Sequence, residues 1–490
     1  MAHDCEKKQS CADFIFGRRE VVRTRKCRLQ RGLFGREEIL TPVDKITQEN
    51  VVRVLAKAAH IHQFNSMQID YLYRYMKGEQ PVLKRVKKIR PEICNKIVEN
   101  HAAEITQFTS GYFLGEPLTY IPRGDREGLS ECVDTLNDYM FWESKASQDK
   151  QIATWMAIAG NCYRMTLPKK VTASDKEPPF KIDVCDPRYT FVVYHSGFGK
   201  KPVMGVQEIF RENDQGLLVK YLCGYTQDHY FEVEGNTLKR WEGHTMRDIP
   251  IVEYRLNASR MGAFEPALPL LDAINNIQSN RVDGVEQFIQ SFLKFKNCEV
   301  DDDAPDKLRA KGAIAIKSID GVLDADVDII TQELNQEQVQ TLVDYMYDQV
   351  LVICGMPTTT KGGASTSDTG QAVFLRDGWS QCEARAKDTE TLFKESEKNF
   401  LRLALHIIHE TRDLEIDLHE VDYKFTRRQH DNLQNKTQAL LSMLQAGLKP
   451  EIAIAACGLF NDPVDVAKQS EKYLKKWEYV EMTAKEGEDE

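Results

Sequence analysis

Helical periodicity governs the first 160 or so residues, and strand-like alternation replaces it over the next hundred. From Thr47, apolar positions Val51, Leu55, Ala59 and Ile61 recur at helical spacing; Met67, Leu72 and Met76 extend the stripe until Gly78 and Pro81 stop it. A second helical run is predicted from Ile93 through Ala102, Ile105 and Phe108 to Gly111, followed by a turn and an extended segment in GYFLGEPLTYIP. A helix pair is predicted over 129–161, ending in the apolar IATWMAIAGNCYRM. Between Tyr163 and Leu256, segments such as FKIDVC, KPVMGVQEIF, GLLVKYLCGY and IPIVEYRL are short and rich in β-branched and aromatic residues. Turn residues separate them, so this part reads as an antiparallel β-rich region.

A long helix is predicted over 266–295, because Leu270, Ile274, Ile277, Arg281, Val285, Phe288 and Phe292 recur at steps of three and four. At 1.5 Å per residue it would be a rod of roughly 40 Å. The segments CEVDDDAPDKL, GAIAIKS and VDIITQEL predict a small β insertion. A second helix is expected from Asn335, with Gln338 at the capping-box position, carrying Val339, Leu342, Val343, Met346 and Val350 to a stop at Gly355 and Pro357. Two long helices bracketing a β module suggest a stalk with a tip. The Gly- and hydroxyl-rich stretch 355–379 then feeds a helical run predicted over 368–410, with its N-cap near Ser367 or Asp368. A strand is predicted over 413–425, then helices over 429–445, 450–457 and from Pro463 to about Trp477, then an acidic tail, KEGEDE, expected to be disordered.

Composition narrows the class. The chain has 490 residues, 42% of them hydrophobic and 29% charged, which fits a globular protein of about three domains. No run of 18 apolar residues occurs, so no membrane helix is expected, and MAHDCEKKQS lacks a secretory apolar core. The twelve cysteines form no C-x-x-C pair and read as buried, reduced thiols. A net charge of −10 argues against a protein that coats nucleic acid, though not against one past which DNA travels unheld. Residues 1–45 stay unassigned; eight of the twenty residues between Arg18 and Glu37 are Lys or Arg, read as a solvated arm.

Candidate chemistry fails on spacing. In GMPTTTKGGASTSDTG, Lys361 precedes Gly362-Gly363 instead of following the second glycine, so no lysine would meet a phosphate at a helix N-terminus. His406 and His409 in HIIHE have the wrong order for a helical zinc site, and no G-x-S-x-G elbow occurs. Asp301, Asp302, Asp303 and Asp306 could chelate a hard cation but read better as a solvated or partner-facing patch. No catalytic, metal or cofactor site is expected. The alternative kept open is a nucleotide-dependent DNA-processing enzyme that uses the Gly-rich loop.

Several stretches, in order, resemble the portal proteins of tailed double-stranded-DNA bacteriophages. They are YLYRYMKGEQPVLKR, NKIVENHAAEITQFTSGYFLGEPLTY, DKQIATWMAIAGNCYRM, IPIVEYRLNASRMGAFEPALPLLDAINNIQSNRVDGVEQF, TSDTGQAVFLRDGW and AGLKPEIAIAACGLFNDPVDVAKQSEKY. The fourth matches best: a Pro-Ile/Val strand, an Asn, a Gly-x-Phe-Glu turn and a Leu-Asp-Ala-x-Asn helix. The resemblance covers about residues 45–475; the first 45 depart from the pattern.

The resemblance implies an α+β fold with an α/β wing (46–265), a two-helix stem (266–295 and 335–355), a small α/β clip (296–334), a long kinked helix (within 368–426) and a helical crown (427–477). It implies a ring, commonly of twelve subunits, at one capsid vertex of the virion, assembled in the host cytoplasm. Double-stranded DNA would pass through the ring, which would dock the terminase large subunit and then the head–tail adaptor. Major capsid and scaffolding proteins would be neighbours, and no membrane would be involved. The loop 356–367 would be the tunnel loop, with Thr358, Thr359, Thr360, Lys361, Gly362, Gly363 and Ser365 facing DNA. Clip contacts would fall on Asp301, Asp302, Asp303, Asp306 and Lys307. The stem positions Leu270, Ile274, Val285, Phe288, Val339 and Leu342 would pack partly across neighbouring subunits.

Overall fold

A computed structural model describes residues 35–88, 90–124, 126–170, 177–212, 216–289, 292–296, 298–299, 317–318, 326–330, 336–358, 378–412, 414–425, 433–460 and 463–474. Within these the protein is α+β, with helices and sheets in separate layers. Helix α1 (Val51–Met76) begins after Asn50, whose side chain accepts from the Thr47 amide at 2.8 Å. Its face at Val51, Val54, Leu55 and Ala58 lies on a six-stranded sheet, against Phe191, Val193, Met204, Val206, Phe231 and Val233.

That sheet has strand order β1-β5-β6-β7-β8-β9: β1 Leu40–Thr41, β5 Thr190–His195, β6 Pro202–Glu212, β7 Leu218–Tyr225, β8 His229–Glu234 and β9 Thr237–Gly243. Only the β1–β5 pairing is parallel; the rest is an antiparallel meander. A separate three-stranded sheet, β10-β3-β4, joins Ile251–Arg255, Asn161–Pro168 and Phe180–Cys185. The β-rich region is therefore two sheets, because β3 and β10 turn inward to pack on helices instead of extending the meander.

Helices α2 (His101–Phe113), α3 (Leu129–Trp142) and α4 (Lys145–Ala159) precede the sheets. The strand β2 (Thr119–Pro122) pairs with β15 (Val421–Lys424), about 300 residues later. Helix α5 (Leu268–Ile289) follows a short 3-10 turn at Glu265–Ala267 and runs antiparallel to α6 (Gln336–Cys354). The predicted helix 266–295 therefore ends early: Phe292–Lys296 is strand β11, paired with β14 (Asp326–Ile330). The register sets Lys294 opposite Asp328 and Lys296 opposite Asp326, and such opposed charges favour pairing. Cys298–Glu299 (β12) pairs with Lys317–Ser318 (β13).

The long helix α7 runs unbroken from Trp379 to Thr411, roughly 50 Å. Its N-cap is Gly378, so Ser367 and Asp368 are not its cap. The strand predicted over 413–425 shrinks to 421–424, because Asp417 and Glu420 form a capping box that curls Leu418–Glu420 into a 3-10 turn. Helices α8 (Leu433–Gln445), α9 (Pro450–Cys457) and α10 (Pro463–Leu474) close the described chain.

A buried charge cluster fixes α7 to the three-stranded sheet. Glu397 of α7 accepts from Tyr120 at 2.5 Å and Tyr254 at 2.8 Å, and lies 2.7 Å from the Lys145 ammonium. Asp149 pairs with the same lysine at 2.6 Å and with Arg164. These four ionised side chains are at most 3% exposed. Burial alone would raise the Asp149 carboxyl, but Lys145 and Arg164 hold it below its usual range. Two cations against two carboxylates leave no net charge in the core, and Phe400 covers Arg164 with its ring centroid 4.8 Å away. Replacing Glu397 by Ala leaves two buried cations sharing one carboxylate, Asp149, and should cost about 3–5 kcal/mol of stability in urea unfolding; a loss below about 1 kcal/mol would contradict this account.

Candidate functional site

The paired helices α5 and α6 are rooted in the body by one apolar cluster. Leu268, Leu271 and Ile274 of α5 meet Val343, Val350, Leu351 and Cys354 of α6, with Tyr75, Ile105 and Phe264 beneath. Farther out, Arg281 donates to Gln336 at 3.2 Å and to Gln340 at 2.7 Å. Of the predicted packing positions, Ile274 is fully buried, and Leu270 and Val339 are half-buried. Val285 and Leu342 are each 49% exposed, so they are not packing residues within one chain. The side chain of Phe288 lies outside the described residues.

The other flank of α5 carries a feature that the hydrophobic pattern conceals. Asn275, Ser279 and Asp283, one helical turn apart, accept hydrogen bonds from the backbone amides of Glu99 (2.8 Å), Ile97 (3.0 Å) and Asn95 (2.7 Å). Two residues of extended chain advance about 6.6 Å and four helical residues 6.0 Å, so the two repeats stay in step. Residues 94–100 are therefore extended, not helical as their periodicity suggested; the helix starts only at His101. Asp283 also binds Arg85 and Lys87, each at 2.9 Å. Burial would raise this carboxyl, yet the Asn95 amide and the two cations hold it below the usual range. The four-residue spacing of Asn275, Ser279 and Asp283 on one side of the helix was the available signal.

Beyond Cys354 the chain reaches the predicted tunnel loop. Gly355, at φ +69°, ends α6 in a Schellman turn, with the Met356 amide donating to Leu351 O at 2.8 Å. Arg385 of α7 donates to the Ile353 carbonyl at 2.9 Å, tying the end of one helix to the start of the next. A Cβ on Gly378 would lie 3.8 Å from Pro357 Cα and 4.0 Å from Thr358 N. The chain thus leaves and re-enters at one point. Thr358, 5% exposed, is buried at the root of the segment. Thr359, Thr360, Lys361, Gly362, Gly363 and Ser365 lie outside the described residues, as do Asp301, Asp302, Asp303, Asp306 and Lys307.

Beside this root is a cavity of about 290 Å³, lined by Phe108, Tyr112, Cys354, Cys382, Arg385 and Thr389 among others. Burial pushes the Cys354 thiol up to about 12 and Cys382 up to about 11, so both are protonated and inert at neutral pH. A phosphate-binding loop follows a strand, whereas Gly355 ends a helix. Among the described residues no group of three or more His, Cys, Asp or Glu could hold a metal. His406 instead points at the Thr245 carbonyl, 3.4 Å away, and His409 is exposed. No helix among them is long and apolar enough to cross a membrane.

A family model for phage portal proteins of the SPP1 Gp6-like type matches residues 55–479. The chain belongs to the phage portal protein family. Portal proteins are structural, capsid-associated and oligomeric, and the family is not an enzyme family. Comparison with curated proteins finds no match. In this portal chain two motifs of the sequence resemblance prove to be structural joints. Glu265 of the Gly-x-Phe-Glu turn accepts from the Gly262 amide at 3.0 Å and from the Arg36 guanidinium at 2.5 Å. A Cβ on Gly262 would meet Ile158 O at 2.3 Å, so the close backbone crossing requires glycine. The N-K-I-V segment and the Leu-Asp-Ala-x-Asn helix are the two sides of the amide ladder.

Asp283 gives a pH test. Because its folded-state pKa is depressed, its contribution is present above the unfolded value near 3.9 and is lost as pH falls through the folded value. Asp283→Asn should cost about 1–3 kcal/mol at pH 7. The gap from the unsubstituted chain should narrow on acidification below about pH 4. A gap independent of pH, in urea titrations at pH 7 and pH 3, would contradict the assignment.

Proposed function

We propose that copies of this portal chain form a ring-shaped channel at one capsid vertex, through which double-stranded DNA is packaged and later ejected. In this reading α5 and α6 are the stem, the paired strands β11–β14 belong to the clip, α8–α10 form the crown, and residues between Thr358 and Gly378 form the tunnel loop. The clip docks the terminase large subunit and afterwards the head–tail adaptor. Twelve subunits is the expected number.

One observation beyond family membership carries the reading. Two antiparallel helices bracket a strand module at one end, and at the other the end of α6 meets the start of α7, with Gly378 against Pro357 and Thr358. The net charge of −10 fits a passage that does not grip the duplex, since each Lys–phosphate contact would release counterions and hold the DNA. The exposed apolar residues Val285, Leu342 and Tyr345 on the helix pair fit burial against neighbouring copies.

Negative-stain images combined with light scattering test the reading. A ring with an axial hole near 670 kDa, twelve times the 56.2 kDa chain, is expected. A compact dimer or tetramer without a hole would contradict it.

A further inference from the structure

The two flanks of the helix pair carry opposite charge at the same height. On one flank, residues 84–96 contain six Lys or Arg (Lys84, Arg85, Lys87, Lys88, Arg90 and Lys96) and one acid, Glu92. Arg85 and Lys87 clamp this strip to α5 at Asp283, while Lys84 and Lys88 project into solvent beside Val86, 83% exposed, and Leu83, 41% exposed. On the other flank, α6 contains Glu337, Asp344 and Asp348 and no Lys or Arg. Tyr345, 62% exposed, borders the edge that carries Glu337 and Asp344, whereas Leu342, 49% exposed, lies roughly 150° around α6 from that edge.

These surfaces are on opposite sides of α5. At 3.6 residues per turn, the Asn275–Ser279–Asp283 row that holds the extended segment lies roughly 150° around the helix from Ile274 and Arg281, which face α6. They are also level. Arg281 bonds to Gln336 and Gln340 in the first turns of α6, and two residues later Asp283 holds the basic strip. One face is basic with an apolar ridge, the other acidic and bordered by Tyr345, so the two are complementary in charge. A contact between two unlike faces is heterologous and gives a ring where the rotation it repeats closes.

We propose that the basic strip 84–96 of one subunit docks on the acidic edge of α6 of the next, with Lys84 and Lys88 opposite Glu337 and Asp344, and Val86 against Tyr345. The proposal rests on the ring reading and adds which faces meet and in what sense. The occupant of each face is a second copy of this chain; opposed charge sets the order of contact, and the apolar strip gives it area.

Charge reversal tests this without touching the core. One full-length variant carries Lys84→Glu with Lys88→Glu; another carries Glu337→Lys with Asp344→Lys. Each alone puts like charges face to face, and ring yield by light scattering and electron microscopy should fall at least about tenfold. An equal mixture of the two restores opposite charge at every joint, so rings of alternating subunits should return. That recovery also shows that both variants are folded. Rings at the unsubstituted yield from either variant alone, or none from the mixture, would overturn the proposal. The unsubstituted chain, assayed alongside, separates the two ideas: if it makes no ring, the ring reading itself fails.

Discussion

The match in repeat between an extended chain and a helix is the constraint on which this molecule turns. Three amides spaced two residues apart find three acceptors spaced four residues apart, and no other pairing of offsets would keep all three bonds. A helix that leaves the body must have its polar flank satisfied before it can stand against a neighbour. The ladder does this for α5, fixes the height of the basic strip through Asp283, and leaves the opposite flank for α6. Everything proposed about assembly follows from which side of α5 each of these occupies.

A second constraint acts at the far end of the chain. The long helix α7 packs on the three-stranded sheet, and a helix of that length held only by apolar contact could slide by a turn. The Glu397 cluster prevents this, because a carboxylate that must accept two tyrosine hydroxyls and face two buried cations tolerates only one register. At its first turn Trp379 packs at a tilt against Phe108 and Tyr112, and Arg385 reaches back to α6.

Much of this was legible in the sequence, and the failures share a cause. The two long helices, the strands between 161 and 255 and the terminal helices show in periodicity, because each buries one face against a single neighbour. Residues 94–100 look helical for the opposite reason: their alternation is masked by apolar residues on both sides, and the partner that makes them extended lies about 180 residues away. Phe292 continued a helical stripe by accident of spacing, and only the Lys–Asp register with 326–330 reveals the strand. Leu342 and Val285 obey the stripe rule yet stay exposed, since periodicity alone cannot tell whether a face is buried within the chain. The burial of Thr358 was not readable at all, because it depends on where Gly378 returns.

Residue-resolved hydrogen–deuterium exchange over 94–100 tests the ladder most directly. The amides of Asn95, Ile97 and Glu99 should exchange slowly, alternating with fast exchange at Lys96 and Val98, and Ser279→Ala should speed Ile97 most. A smooth helical protection pattern across the segment, or uniformly fast exchange, would contradict the account at its base.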